Sequence, residues 1–164
     1  MAQDPLSREG ALIDQVKKRF PEEVKDTEIK RARRVTIVFE KDHLLDIAEF
    51  MQHELGLDHV KGVAGVDYPT RKKLEVLYFT ASYSRSEIQD IIVTLKTELP
   101  RDNPIINSVV SVWPSAHFHE RETFEMFGVK FQGHPDLRKL LTLDNWEGPP
   151  PMLKDMKFPE MGQR

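Results

Sequence analysis

Histidines and carboxylates gather near residue 120 of the 164-residue sequence, and these side chains are the ones best suited to chemistry. His117, His119 and Glu120, with His134 further along, are residue types that bind metal ions. However, His117 and His119 are two positions apart, so on a helix they point to different faces. The spacing therefore favours histidines at a surface or interface, and a free-standing metal-dependent enzyme built on this cluster is a remote alternative.

The segment Glu120-Arg121-Glu122 is a second candidate, with two carboxylates around one guanidinium. Paired carboxylates can act as general acid and general base. Ion-pair networks imitate such sites, and a carboxylate on an aromatic helix face is costly unless it is paired. The pattern therefore predicts a structural network in which Arg121 bridges the two carboxylates, with no catalytic residue.

Two further motifs have ordinary structural interpretations. In Gly133–Arg138 the glycine and Pro135 predict a turn, with Asp136 and Arg138 placed to bind backbone groups or a partner. The basic stretch Lys30–Arg34 has the residue types that contact nucleic acid or acidic lipid. Because the whole chain has a net charge of −3, a solvated hairpin turn is the favoured interpretation, and no nucleic-acid partner is expected.

The composition removes several classes of function. The chain contains no cysteine, so it lacks thiol catalysis, disulfides and thiolate-held zinc or iron–sulfur sites. Its apolar runs are far shorter than the roughly 20 residues that a membrane span needs. The first ten residues have neither a basic start nor an apolar core, so we expect no secretory signal. These features predict a cytosolic protein, or one that reaches a membrane only through a partner.

Hydrophobic periodicity predicts an α/β domain with a mixed sheet and flanking helices. Residues 86–99 are ambiguous, because their apolar positions fit a helix and a strand equally well. The remaining elements alternate along the first two thirds of the chain: helices at 6–20, 42–55 and 115–127, and strands at 27–31, 35–39, 60–66 and 73–83.

Residues 129–164 are rich in proline and glycine and predict an irregular tail after a domain of residues 1–128. A tail of this kind cannot satisfy its backbone polar groups on itself. It is also too apolar for a solvated segment, since it contains Leu140, Leu141, Trp146 and Met152 among others. We therefore expect it to lie along a partner protein.

The segment from Glu120 to Arg138 resembles the signature of the 30-kilodalton subunit, also called the C subunit, of proton-pumping NADH:quinone oxidoreductase, respiratory complex I. Fifteen of its nineteen positions match the family pattern: Glu120, Arg121, Glu122, Phe124, Glu125, Met126, Phe127, Gly128, Phe131, Gly133, His134, Pro135, Asp136, Leu137 and Arg138. A departure follows at residues 146–155, where one residue is inserted and Leu153 replaces the usual arginine.

The resemblance implies a non-catalytic subunit in the peripheral arm of a membrane-bound, ion-pumping redox complex, on the cytoplasmic face of the membrane. It implies no cofactor in this chain, with iron–sulfur clusters in partner subunits and either a quinone site or a nickel–iron centre in the large one. The implied partners are a large subunit like the 49-kilodalton subunit or a hydrogenase large subunit, a small iron–sulfur subunit and a ferredoxin-like iron–sulfur subunit.

The same resemblance directs attention to twelve interface or structural residues. We expect polar fixing points at Glu120, Arg121, Glu122, His134, Asp136 and Arg138, apolar anchors at Phe127 and Phe131, a helix stop at Gly128, and Gly133, Pro135 and Leu137 in the same region.

Three alternatives stay open at this point. Membrane-bound, energy-converting nickel–iron hydrogenases and archaeal dehydrogenases contain similar subunits, so the electron donor and acceptor and the pumped ion are undetermined. A metal enzyme would contain stoichiometric metal. A soluble binding module would bind a small ligand or nucleic acid.

Overall fold

A computed structural model describes residues 7–143 and 145–157 of the chain. It contains three helices and seven strands: α1 Ser7–Arg19, β1 Val24–Arg31, β2 Arg34–Phe39, α2 Leu44–His53, β3 His59–Tyr68, β4 Lys73–Ala81, β5 Ile92–Pro100, β6 Ile105–Asn107, α3 His117–Phe127 and β7 Lys130–Gln132. Short 3-10 turns lead into α2 and α3, and another joins β3 to β4.

Five of the strands form one mixed sheet in the order β1-β2-β5-β4-β3. Strands β2 and β5 run parallel, and every other pairing in this sheet is antiparallel. Strands β6 and β7 form a separate parallel pair. The predicted α/β class with a mixed sheet and flanking helices is confirmed.

The ambiguous segment 86–99 contains a strand, not a helix, and the strand begins at Ile92. Val93 and Leu95 point into the core opposite Val35 and Ile37 of the parallel neighbour β2. The position between β2 and β4 decides the structure, because both edges of β5 find backbone partners there. Local periodicity alone contains no information about those neighbours.

The core lies on one face of the sheet, under all three helices. Leu12 and Val16 of α1, and Ile47 and Met51 of α2, are buried in it. Helix α3 covers β3 on the same face, where the ring of Phe127 lies directly over Gly65. The Trp113 side chain, before α3, is fully buried and its indole N–H donates to the Leu57 carbonyl over 2.8 Å.

The first residues after α3 still belong to the folded core. Val129 and Phe131 are buried, and Lys130–Gln132 forms β7 beside β6. The expectation that residues 129–164 are irregular from their start is therefore wrong for Lys130–Gln132. From Gly133 onward the described residues form no helix or strand, and the division of the chain into two parts near residue 128 stays a prediction. None of the helices in the described part of the chain is long and apolar enough to span a membrane.

Candidate functional site

Glu120 lies in the first turn of α3 and fastens the helix to the loop that precedes it. Its side chain is fully buried, and its two oxygens accept hydrogen bonds from the Ser108 hydroxyl, over 2.6 Å, and from the Val109 N–H, over 2.8 Å. Burial disfavours the charged carboxylate and raises the pKa of Glu120 to about 7, against the effect of these two hydrogen bonds. Glu120 therefore connects two parts of its own chain.

Arg121 binds the tail, and the predicted bridge to Glu120 and Glu122 is wrong. Its guanidinium donates to the backbone carbonyls of Arg138, over 3.1 Å, and Lys139, over 3.0 Å. It also lies 3.8 Å from an Asp136 carboxylate oxygen. Glu120 is satisfied by the loop before α3, so it needs no cation, and Arg121 is free to hold the chain that follows the helix.

Glu125, one turn beyond Arg121, binds the next three residues of the tail. Its carboxylate accepts the N–H groups of Leu140, Leu141 and Thr142 over 2.9, 2.7 and 2.7 Å, and the Thr142 hydroxyl donates to it as well. Burial opposes ionisation of this carboxyl, but the hydrogen bonds outweigh it and lower the pKa of Glu125 to about 2. The carboxylate thus accepts the N–H groups that backbone carbonyl oxygens would accept in a helix or a strand.

Glu122, Phe127 and Phe131 differ in how far their side chains are exposed. Glu122 is exposed, and within the described residues no hydrogen bond or ion pair involves its side chain. Phe131 is 2% exposed and packs in the core of this chain, so it anchors the chain on its own domain. Phe127 is half-buried over Gly65. Of these three predicted residues, Glu122 is the one that the structure leaves fully available.

His134 binds backbone groups through both of its ring nitrogens, whereas Nδ1 of His117 is buried without a hydrogen-bond partner among the described residues. His134 binds the His117 carbonyl through Nε2 over 3.0 Å and accepts the Asp136 N–H at Nδ1 over 3.0 Å. This pattern places the ring proton on Nε2. Burial lowers the pKa of His134, which favours this neutral form. The rings of His117 and His134 are 4.7 Å apart, and among the described residues no group of three ligands is arranged for a metal ion.

The remaining predicted residues lie at the end of α3 and in the turn that follows β7. Gly128 ends α3 with φ 78°, and Gly133 has φ 79°, a region that L-residues rarely adopt. Asp136 pairs with Arg138 over 2.9 Å on the surface. Pro135 is exposed, whereas Leu137 is half-buried and packs against the core.

A second fastening of the tail has no counterpart in the sequence predictions. Asp67 of β3 is buried and pairs with Arg101, which follows β5, over 2.7 and 3.0 Å. The same Asp67 accepts the Lys154 N–H over 2.9 Å, and Arg101 also pairs with Asp155. The hydrogen bond with Arg101 is the main cause of the lowered pKa of Asp67. Because Asp67 and Arg101 are 34 positions apart, no local spacing pointed to this pair.

The tail therefore lies against its own domain at residues 138–142 and at Met152 and Lys154, where these backbone groups find partners within the chain. That the tail also lies along a partner protein stays a prediction. The exposed residues of the tail include several large apolar side chains among polar ones. Of the six large apolar side chains that are exposed in the described part of the chain, five lie on α3 or the tail: Phe118, Leu140, Leu141, Leu143 and Met152. We call these five residues the tail surface.

Most charged side chains of the site have partners within the chain. Glu120, Arg121 and Glu125 are used inside the chain, and both ring nitrogens of His134 have backbone partners. The exposed carboxylate of Glu122 lies beside a cleft of about 290 Å³ between β3, α3 and Met152. An uncommitted charge next to exposed apolar side chains is typical of a surface that another protein covers.

Comparison with known proteins shows which family the chain resembles. Residues 37–161 match the family described as respiratory-chain NADH dehydrogenase, 30 Kd subunit. The chain is 38% identical over 154 residues to the C subunit of the F(420)H(2) dehydrogenase of Methanosarcina mazei, covering 93% of this chain and 95% of the relative. It is 36% identical over 152 residues to the C subunit of the NADH-quinone oxidoreductase of Chlorobium phaeobacteroides, covering 92% and 89%.

The fold also matches a solved structure. A chain of the membrane-bound sulfane sulfur reductase, described as an archaeal respiratory membrane complex, superposes with a TM-score of 0.74 at 22% identity, covering 92% of this chain and 86% of that one. The family resemblance drawn from residues 120–138 is confirmed by the match over residues 37–161. The chain belongs to the family of the 30-kilodalton subunit of the respiratory-chain NADH dehydrogenase.

Proposed function

We propose that this chain is a non-catalytic subunit in the peripheral arm of a membrane-bound, ion-pumping redox complex of the complex I type. Its task is to organise the electron-transfer module by holding neighbouring subunits in place. The observation on which this rests is the tail surface, five exposed apolar side chains on α3 and on the tail, part of which α3 fixes through Arg121 and Glu125.

The fixation matters because a rigid surface binds with little ordering cost. Immobilising a loop at an interface costs free energy that is subtracted from the affinity. Here the hydrogen bonds from Arg121 and to Glu125 order residues 138–142 before any partner arrives. Burying one exposed leucine side chain contributes about 1.5–3 kcal/mol. A pre-ordered apolar surface is therefore an efficient way to join subunits permanently.

The proposed partner at the tail surface is the large subunit, with the small iron–sulfur subunit and the ferredoxin-like iron–sulfur subunit as further neighbours. The iron–sulfur clusters belong to those partners, because this chain has no cysteine to hold one. The proposed location is the cytoplasmic face of the membrane, reached through the partners. The two relatives bear different enzyme names, one for F(420)H(2) and one for NADH and quinone, so the proposal leaves the electron donor open.

The test is co-purification of the tagged chain with the other subunits of its complex. In the double variant Leu141→Glu/Leu143→Glu, carboxylates replace two exposed leucines of the tail surface, 60% and 74% exposed. The change places charge in an apolar contact and should reduce co-purifying subunits at least tenfold. Because both side chains are exposed in the free chain, its thermal unfolding should shift little.

The matched control is Tyr83→Glu, which changes another exposed apolar side chain, 63% exposed, outside the tail surface. This variant should retain its partners. Equal recovery of partner subunits with the double variant and with the control would contradict the proposed function.

A further inference from the structure

The second face of the five-stranded sheet is not covered by any helix of the described chain. Side chains alternate between the two faces of a strand, so the residues next to the core-facing ones lie on this second face. They form cross-strand rows: Thr36, Thr94 and Phe79 in one row, and Val38, Lys96 and Leu77 in the next. Leu77 and Phe79 are half-buried although α1, α2 and α3 lie on the opposite face. We call this side the open face.

A groove of about 360 Å³ crosses the open face near the β1–β2 hairpin. Its floor contains apolar and hydroxyl side chains, Leu77, Phe79, Thr36 and Thr94, and its rim is basic. The rim residues are Lys30, Arg31, Arg34 and Lys96. The groove therefore combines an apolar floor with cations along one border.

Two cations of the rim, Arg31 and Arg34, lie side by side in the hairpin, where the Arg34 guanidinium donates to the Arg33 carbonyl over 2.7 Å. Arg31 and Arg34 are direct cross-strand partners in the hairpin, and like charges in that position are destabilising. Their neighbours are paired: Arg33 with Asp90 over 3.0 Å and Lys96 with Glu75 over 3.2 Å. Within residues 7–143 and 145–157 no ion pair involves Arg31 or Arg34. An anionic group bound between them would relieve this repulsion.

The shape and charge of the groove favour a protein segment over a polyanion surface. A nucleic acid is bound by many phosphate contacts, and this rim offers few cations on a chain of net charge −3. A flat anionic membrane would meet the exposed hairpin but not the half-buried floor at Leu77 and Phe79. An extended peptide satisfies both parts, because alternate side chains can enter the floor while others reach the rim.

We propose that the groove on the open face binds an extended acidic segment of a neighbouring subunit, with carboxylates at Arg31 and Arg34 and an apolar side chain over Leu77 and Phe79. The proposal rests on the proposed function only in requiring that neighbouring subunits exist. It adds a second contact surface, on the opposite side of the sheet from the helix that holds the tail.

The test uses the photo-crosslinking amino acid p-benzoylphenylalanine, incorporated at Phe79 in the assembled, purified complex. Irradiation should join Phe79 to another subunit, within a peptide that contains at least two Asp or Glu residues beside an apolar one. The charge reversal Arg31→Glu/Arg34→Glu should reduce this cross-link at least tenfold. The matched control Lys17→Glu/Lys18→Glu has the same change in net charge on an exposed part of α1 and should leave the cross-link unchanged.

A second cross-linker position, Leu143, separates this proposal from the proposed function. A cross-link from Leu143 to a partner, with none from Phe79, overturns the groove proposal and supports the tail surface. Cross-links from Phe79 to a phospholipid, to nucleic acid, to a second copy of this chain or to the chain's own ends overturn the groove proposal as well. Failure at both positions overturns both proposals.

Discussion

Arg121 and Glu125 stand one turn apart on α3 and bind opposite kinds of backbone group in one tail segment. Arg121 donates to the carbonyls of residues 138 and 139, and Glu125 accepts the N–H groups of residues 140–142. Side chains four positions apart share a helix face, so the pair forms a polar template for a segment that has no strand or helix partner. The order of residues 138–142 thus depends on two side chains.

Arg121→Ala should loosen the tail and leave the core intact. The substitution removes two hydrogen bonds from a charged donor, each worth about 1.5–3 kcal/mol. We expect amide hydrogen exchange across residues 138–143 to accelerate at least tenfold, while amides of β4 and β5 exchange as before. Arg138→Ala is the control, because the side chain of Arg138 is 75% exposed and, among the described residues, pairs with Asp136 alone. Equal acceleration in the two variants would mean that the guanidinium of Arg121 does not order the tail.

Glu125→Gln should produce a loss that depends on pH. The pKa of Glu125 is about 2 in the folded chain, below its ordinary value of 4.5, so its stabilising contribution is present above about pH 4.5 and is lost as the pH falls towards 2. In the wild type, amides 140–142 should lose protection over that acid range. The glutamine variant should exchange faster at pH 7 and change little further on acidification. A carboxyl titration midpoint near 4.5, measured by NMR, would count against this assignment.

Glu120→Gln should weaken a pH dependence of folding stability that runs in the opposite direction to that of Glu125. Burial raises the folded pKa of Glu120 to about 7, so between about pH 4.5 and 7 the folded chain binds more protons than the unfolded chain. The contribution of this group is therefore full below pH 4.5 and declines as the pH rises through 7, by about 3 kcal/mol at most.

Urea unfolding at pH 5 and pH 7 measures this change. The wild type should lose stability between the two values, and Glu120→Gln should lose less. Glu122→Gln is the control, because its exposed carboxylate should leave the wild-type slope in place. An identical slope in all three proteins would show that Glu120 does not titrate in this range.

Gly65→Ala should destabilise the packing of α3 on β3. A Cβ at this position would lie 2.5 Å from a ring carbon of Phe127, so the helix or the ring must move. Overpacking of this kind costs about 1–3 kcal/mol, measurable as a lower unfolding midpoint in urea. Gly62→Ala in the same strand is the control, since its Cβ would meet Phe79 at an ordinary 3.7 Å. A midpoint lowered as much by Gly62→Ala would contradict the close approach at Gly65.

Sequence patterns located most of the fold because the signals were local. The helix before Gly128 follows from periodicity and a glycine stop, and β2 and β4 follow from apolar runs. The segment 86–99 stayed ambiguous because its structure depends on β2 and β4, which are distant in sequence. Periodicity describes one segment at a time, so it cannot show which segment has backbone partners.

The sequence located the residues of the site along the chain, but it did not show which groups they bind. The motif directed attention to Arg121, yet the groups that it binds are backbone carbonyls, and these have no sequence signature. Glu125 had a usable signal, its spacing of four from Arg121, which places both side chains on one face of a helix. The pairing of Asp67 with Arg101 joins two strand ends and becomes visible only in three dimensions.

Hydroxyl-radical footprinting of the free chain and of the assembled complex tests the central claim most directly, because it reports the exposure of individual side chains. Phe118, Leu141, Leu143 and Met152 are exposed in the free chain. If the tail surface joins this subunit to its neighbours, their oxidation should fall several-fold on assembly. Equal oxidation of these side chains in the free and the assembled protein would contradict the claim.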